Sequence, residues 1–185
     1  SGLEWAAGIP GTIGAAICGN AGAYKKEISD VIESVEILEI NSFTNKRIKN
    51  GDCQFRYRSS IFKNNSNIVV LSAQINLKYK SKDYVQERVK QILEKRKKSL
   101  GICYPSAGCI FKNPRVNDGD LIKMFEKERG VKAMNNKISA GYLIEKLGLK
   151  GEKIGGAVVS ANNANFILNA GNAKSADVIK LINRI

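Results

Sequence analysis

The sequence predicts an α+β protein of two units divided near residue 82. Three observations predict it. Apolar and polar residues alternate within 31–40 and 68–79, the period of half-buried strands. Beyond Ser81 the spacing turns helical, with Val85, Val89, Ile92 and Leu93 on one face. Short helical and strand-like segments then follow one another with no internal repeat.

Residues 1–24 are rich in small side chains. Turns are expected at Gly8-Ile-Pro-Gly11 and Gly19-Asn-Ala-Gly22. A short helix over 12–18 lies between them, packed closely through Gly14, Ala15 and Ala16. In the strand over 31–40, Val35 and Ile37 alternate with Glu36; residues 41–45 are turn chemistry. In the strand over 68–79, Ala73, Ile75, Leu77 and Tyr79 alternate with Gln74, Asn76 and Lys78. Asp83, with Gln86 three residues on, is the expected cap of a helix that ends in the basic run Glu94-Lys-Arg-Lys-Lys98. Residues 104–114 read as a loop or short strand. Helices are expected over 120–129, ended by Gly130, and over 140–147, capped by Ser139 and ended by Gly148. Val158-Val159 and residues 165–169 read as strands. Ser175 is the expected cap of a last helix carrying Val178, Leu181, Ile182 and Ile185 on one face.

Composition narrows the function. At 43% apolar residues the chain supports a core. It has neither a long apolar run nor a signal peptide, so a membrane partner is not expected. It opens on Ser1 rather than Met, as if cut from something longer. Thirty Lys and Arg against 17 Asp and Glu give +13, which favours polyanionic partners such as nucleic acid, a membrane surface or phosphorylated small molecules. The charges are interspersed and only 7% of residues are aromatic, so no stacking platform for nucleic acid is expected. Cys18, Cys53, Cys103 and Cys109 form no CxxC pair, which points to free thiols in a reducing cytoplasm. Histidine is absent, which excludes His-based acid–base chemistry, Ser–His triads and His-ligated metals; no metal site is expected.

Four stretches carry candidate chemistry. In residues 8–24, glycine turns beside a helix start expose N–H groups suited to a pyrophosphate. The pattern is not GxGxxG, and a structural turn is the competing reading. In residues 53–63, Arg56 and Arg58 bracket Tyr57, and an arginine there suits a carboxylate or a developing negative charge; a surface strand competes. In residues 105–114, small residues expose Cys109 beside Lys112 and Asn113, a setting for a proton donor; a buried apolar cysteine competes. Residues 149–165 combine glycines, lysines and amides that suit a nucleotide-sugar diphosphate.

In order, these segments resemble the MurB family of UDP-N-acetylenolpyruvoylglucosamine reductases. The likeness rests on IPGTIG…NAGAY, FRYRSSIFK, SAG-x-xFKNP, SAGYLIEKLGLKG-x-x-IGGA and NFILN-x-GNAKSADV, and covers nearly the whole chain. It implies that residues 1–82 are part of a vanillyl-alcohol-oxidase-like FAD-binding domain, its second lobe, and that 83–185 form a C-terminal UDP-sugar domain. It implies reduction of UDP-N-acetylglucosamine enolpyruvate to UDP-N-acetylmuramate, with FAD as cofactor and NADPH as hydride donor. By match, Arg58 stabilises charge beside Tyr57, and Cys109 stands at the proton donor's place, where serine is the familiar residue. Asn113, Lys150 and Asn163 stand at substrate-binding places, and Ile9, Pro10, Gly11, Gly14, Ala15, Gly19 and Asn20 lie against FAD. The resemblance also implies that the first flavin lobe and a catalytic glutamate beyond Ile185 are not in this sequence, so the chain alone is expected to be a crippled enzyme. The alternative is a UDP-sugar or anion-binding module without redox activity.

Overall fold

Thr12 begins the first regular element. Its hydroxyl oxygen accepts from the Ala15 N–H at 3.1 Å, and helix α1 runs Ile13–Gly19 to a left-handed Asn20. Strands β1 (Gly22–Ala23) and β2 (Lys26–Glu27) form a minimal hairpin whose turn residues, Tyr24 and Lys25, both have positive φ. Strand β3 (Ile32–Glu39) is the centre of an antiparallel sheet of order β4–β3–β5, with β4 at Thr44–Lys49 and β5 at Ile68–Ile75. The structure is a computed structural model that describes residues 1–100 and 104–185, apart from the side chains of 99 and 100. The expectation of a free thiol at Cys103 lies outside the described residues.

Two strand expectations change. Strand β4 begins at Thr44, inside the expected turn. Its Thr-Asn-Lys-Arg-Ile-Lys sequence has no apolar alternation because it is an exposed edge, where lysines discourage pairing with another chain. Strand β5 stops at Ile75 rather than Tyr79; the later alternation falls on exposed chain, with Tyr79 95% exposed.

Helix α2 spans Lys82–Leu100. Its start is closed by Ser81, whose hydroxyl accepts from the Tyr84 N–H at 3.3 Å, and not by Asp83. Ile92 is its buried residue, with Val85 and Val89 half-buried beside it. Two compact units result, Ser1–Arg96 and Lys97–Ile185. Residue 82, where the sequence changes character, is the start of α2, which remains with the first unit as far as Arg96. The core of that unit gathers Trp5, Ile17, Ile28, Val35, Ile37 and Phe62.

The second unit runs β6 (Ser106–Cys109), α3 (Gly119–Arg129), α4 (Ala140–Lys146), β7 (Lys153–Ile154), β8 (Ala157–Val159), β9 (Phe166–Asn169) and α5 (Ser175–Arg184). Its strands form one antiparallel sheet in the order β6–β9–β8–β7. Asp118 caps α3 through the Asp120 and Leu121 N–H groups, and left-handed Gly130 ends it. Ser139 caps α4 as expected. The start of α5 is closed by Asp177, not Ser175: the carboxylate accepts from Lys174 N–H at 3.0 Å and from Gly156 N–H at 3.3 Å. The same carboxylate fills the space a Cβ on Gly155 would need, which ties the β7–β8 turn to α5. Ala157, Val159, Ile167 and Leu181 form the main core, and Phe125, Ile138 and Tyr142 a second. The fold is therefore α+β, as the sequence predicts. Among the described residues no helix is long and apolar enough to cross a membrane.

One buried amide fixes the loop after β6. Asn165, 5% exposed, donates to the Phe111 carbonyl at 2.8 Å and accepts from the Phe111 N–H at 2.9 Å. A buried backbone group left without its partner costs about 1–3 kcal/mol. Asn165→Ala orphans two such groups and is expected to cost about 2–4 kcal/mol in urea unfolding of the intact protein. Asn165→Asp is expected to recover only part, because a carboxylate restores the acceptor and not the donor. Wild-type stability in the alanine variant would refute the clasp.

Candidate functional site

In the first unit the structure brings together two stretches that are some forty residues apart in sequence. Arg56 and Ser59 exchange both backbone hydrogen bonds at 2.9 Å, so Tyr57 and Arg58 form a two-residue turn. Arg58 takes a left-handed backbone, φ 57, which costs a non-glycine residue roughly 1–2 kcal/mol. Three contacts hold that turn to the glycine-rich segment. Arg58 Nη2 donates to the Gly22 carbonyl at 2.6 Å. Ser60 Oγ donates to the Cys18 carbonyl at 2.8 Å. Asn20 Nδ2 donates to the Arg56 carbonyl at 3.1 Å. The Arg58 guanidinium also lies 5.4 Å from the centre of the Tyr57 ring.

Asn20 is fully buried and its amide is spent internally. Besides Arg56, it donates to Glu27 Oε2 at 2.8 Å and accepts from the Ser29 N–H at 3.3 Å. The other expected flavin contacts differ from it. Ile9, Pro10, Gly11 and Ala15 are exposed, and Gly14 and Gly19 half-buried. Nothing lies within 4 Å of where a Cβ would stand on Gly11 or Gly19, so main chain is open to a ligand there. Exposed Ile9 and Ile13 supply apolar surface alongside. This combination of open glycine main chain and apolar side chains fits a flavin. Sequence reading did not single out Gly22, where a Cβ would meet the Lys26 carbonyl at 2.6 Å and Arg58 Nη1 at 3.2 Å. Its position at the end of the second glycine turn was the available signal.

In the second unit Asn113 and Asn163 meet the start of α4, while Lys150 lies beyond its end and Cys109 at the end of β6. Asn113 Oδ1 accepts from the Ala140 N–H at 3.0 Å. Asn163 Oδ1 lies 3.2 Å from where a Cβ on Gly141 would stand, and accepts from the Asn165 N–H at 3.1 Å. Cys109 is exposed at the end of β6, opposite Phe166 of β9, so the buried-cysteine reading does not hold for it. Burial raises the thiol pKa of Cys18, and burial with nearby Asp52 pushes Cys53 up to about 11.

Lys150 follows the left-handed Gly148 and is about one-third exposed. Its Nζ lies 2.9 Å from Glu145 Oε2, which also accepts from Arg129 Nη2 at 2.7 Å. Lys150 first, and then Arg129, hold the Glu145 carboxyl below the usual carboxylate range. A lowered folded pKa means that this stabilisation is present above the ordinary carboxylate pKa and is lost as pH falls through the lowered one. Glu145 lies five residues before Lys150 across a glycine turn, a spacing that carries no helical signal.

Two surface hollows lie apart from these residues. One is lined by Lys123, Glu126, Lys127 and Lys132, the other by Ser34, Glu36, Arg47 and Gln74. Among the described residues no group of three or more His, Cys, Asp or Glu side chains could hold a metal.

Residues 98–185 match the family model for the UDP-N-acetylenolpyruvoylglucosamine reductase C-terminal domain, a range that begins one residue inside the second compact unit. UDP-N-acetylenolpyruvoylglucosamine reductase of Caldicellulosiruptor bescii is 39% identical over 183 residues, 98% of this chain and 51% of the relative. The Caldanaerobacter subterraneus subsp. tengcongensis enzyme is 39% identical over 100% of this chain and 54% of its own length, and that of Bacillus subtilis 36% over the same shares. The chain thus spans about half the length of these curated relatives. The crystal structure of the reductase (MurB) from Thermus caldophilus superposes with TM-score 0.77 at 32% identity, over 100% of this chain and 59% of that one. The order of motifs, the C-terminal domain match and the shared fold have one consequence: the chain belongs to the UDP-N-acetylenolpyruvoylglucosamine reductase family.

Proposed function

We propose that this chain provides part of the flavin site and the UDP-sugar site of a reductase that converts UDP-N-acetylglucosamine enolpyruvate to UDP-N-acetylmuramate in cytoplasmic peptidoglycan synthesis. The observation that supports it most is the joining of the glycine-rich segment to the Tyr57–Arg58 turn by Arg58, Asn20 and Ser60. That contact fixes a cation at the C-terminal end of α1, in the same compact unit as the open main chain at Gly11 and Gly19. The first compact unit, Ser1–Arg96, then belongs to a second lobe of a vanillyl-alcohol-oxidase-like flavin domain, and Lys97–Ile185 to the substrate domain, so the proposed division falls within α2 and not near residue 82.

Ile9, Pro10, Gly11, Gly14, Ala15 and Gly19 would hold FAD, with Asn20 shaping the turn. When bound, FAD supplies hydride chemistry between NADPH and the enolpyruvyl double bond. The chain's own residues do the remainder. Arg58, held at one position by Gly22 and Tyr57, stabilises the negative charge that grows on the substrate as hydride adds to one alkene carbon. Cys109 gives its proton to the neighbouring carbon, so that the double bond becomes two C–H bonds. A thiol titrates near 8.5 in its ordinary state and suits that role better than an alcohol. Lys150 offers its charge to the diphosphate, and Asn113 and Asn163 their amides to the UDP-sugar. The polyanionic nature of all three small molecules accounts for the +13 charge.

In the intact protein, Cys109→Ser is expected to retain turnover and Cys109→Ala to lose most of it; an active alanine variant would overturn the donor assignment. After FAD addition and washing, the protein is expected to keep its visible flavin absorbance, whereas a colourless protein that still binds UDP would favour a UDP-sugar module without redox chemistry. Lys150→Met is expected to raise KM for the UDP-sugar about tenfold, as the loss of one charged phosphate contact implies, with a smaller change in kcat. The same variant should move the Glu145 carboxyl upward in an NMR titration, and an unmoved Glu145 would refute the ion pair.

A further inference from the structure

The basic run at the end of α2 has one member unlike the others. Lys95, Lys97 and Lys98 are exposed, whereas Arg96 is half-buried. Arg96 Nη2 donates to the Trp5 carbonyl at 3.1 Å. Its guanidinium carbon lies 5.4 Å from the centre of the Tyr24 ring. Its Cδ lies 3.3 Å from where a Cβ on Gly8 would stand, and Leu93 Cδ2 lies at 3.0 Å. Trp5 and Gly8 enter the glycine-rich segment and Tyr24 leaves it, with α1 between them. One side chain therefore touches both ends of the stretch.

The backbone needs that restraint. Gly8 has φ 78 and Gly11 φ 142, regions that glycine reaches without strain and leaves as easily. The segment between them has no regular hydrogen-bonding ladder. A guanidinium hydrogen-bonds through its edge while its flat face stacks on a ring; an ammonium is a point charge without such a face and reproduces the pair of contacts only in part. Holding a loop in its bound shape removes an ordering cost from ligand binding.

We propose that Arg96 is a positioning residue that clamps the two ends of the glycine-rich segment and thereby presets the main chain of Ile9–Gly14 for the flavin. The proposal rests on the flavin reading above. Its test uses the intact protein and the dissociation constant of FAD, read by quenching of flavin fluorescence. Arg96→Met, which keeps the aliphatic stem, is expected to weaken FAD about tenfold, the size of one hydrogen bond and one stacked cation together. Arg96→Lys is expected to weaken it nearly as much, and Lys98→Met to leave it unchanged, because the clamp depends on the fork and not on net charge. Unchanged FAD affinity in Arg96→Met, or equal losses in Arg96→Met and Lys98→Met, would overturn the clamp.

Tyr24→Leu guards against a variant that merely misfolds, since it alters a side chain that is 44% exposed. Combined with Arg96→Met, its loss should be less than additive, and strict additivity would overturn the stacked contact. Failure of the wild type to bind FAD would sink the flavin reading separately. The clamp is then decided by hydrogen exchange at the Ile9 and Gly11 amides, expected to be faster in Arg96→Met; equal rates would overturn it.

Discussion

The buried amide of Asn20 is the constraint on which the first unit's candidate site depends. It ends α1 in a left-handed turn, anchors Glu27 and the Ser29 N–H, and reaches across to the Arg56 carbonyl. A buried amide has four hydrogen-bonding capacities, and leaving them empty is costly, so its partners must come to it. The position of the Tyr57–Arg58 turn follows from that demand. The second unit repeats the solution with Asn165, which fixes the loop carrying Cys109 by closing on both main-chain groups of Phe111. In both units a buried asparagine serves the main chain, and of the two only Asn20 reads as a ligand contact in sequence.

The large positive charge is distributed in a way consistent with this division. The described ion pairs are mostly surface pairs, such as Lys146–Glu128 at 2.7 Å and Lys132–Glu126 at 2.8 Å, which contribute little stability each. Glu145 differs because two cations share one oxygen. Removing Lys150 would leave Arg129 as its partner, so the fold tolerates use of Lys150 elsewhere. That state suits the phosphate contact proposed for Lys150.

Much of the fold was legible in the sequence, and the failures have physical causes. Helices α3 and α4 were readable because Gly130, Ser139 and Gly148 carry local start and stop chemistry, and α1 because small residues lie between two glycine turns, although its Thr12 cap went unread. Strand β4 was not, because an exposed edge has no buried face to impose a period of two. The start of α5 was misread because Asp177 closes it from inside the first turn, and the sequence shows only that Ser175 precedes it. The candidate site was legible as a set of motifs but not as an assembly. Nothing in the residues 8–24 or 53–63 alone says that Ser60 meets Cys18, and nothing in the basic run distinguishes Arg96 from its lysine neighbours.

The left-handed backbone of Arg58 has a further consequence. A glycine at this position would relieve the conformation and, judged by folding alone, would be the easier residue to keep. The chain instead carries its longest cationic side chain there, bound at 2.6 Å to the Gly22 carbonyl, and a Cβ on Gly22 would stand 3.2 Å from its Nη1. Two neighbouring positions thus hold their roles reversed, the arginine where backbone favours glycine and the glycine where only an absent side chain admits the arginine. Under the role proposed for Arg58, selection for stability and selection for activity pull apart at this position, and a search for thermally hardier variants would drift toward losing it.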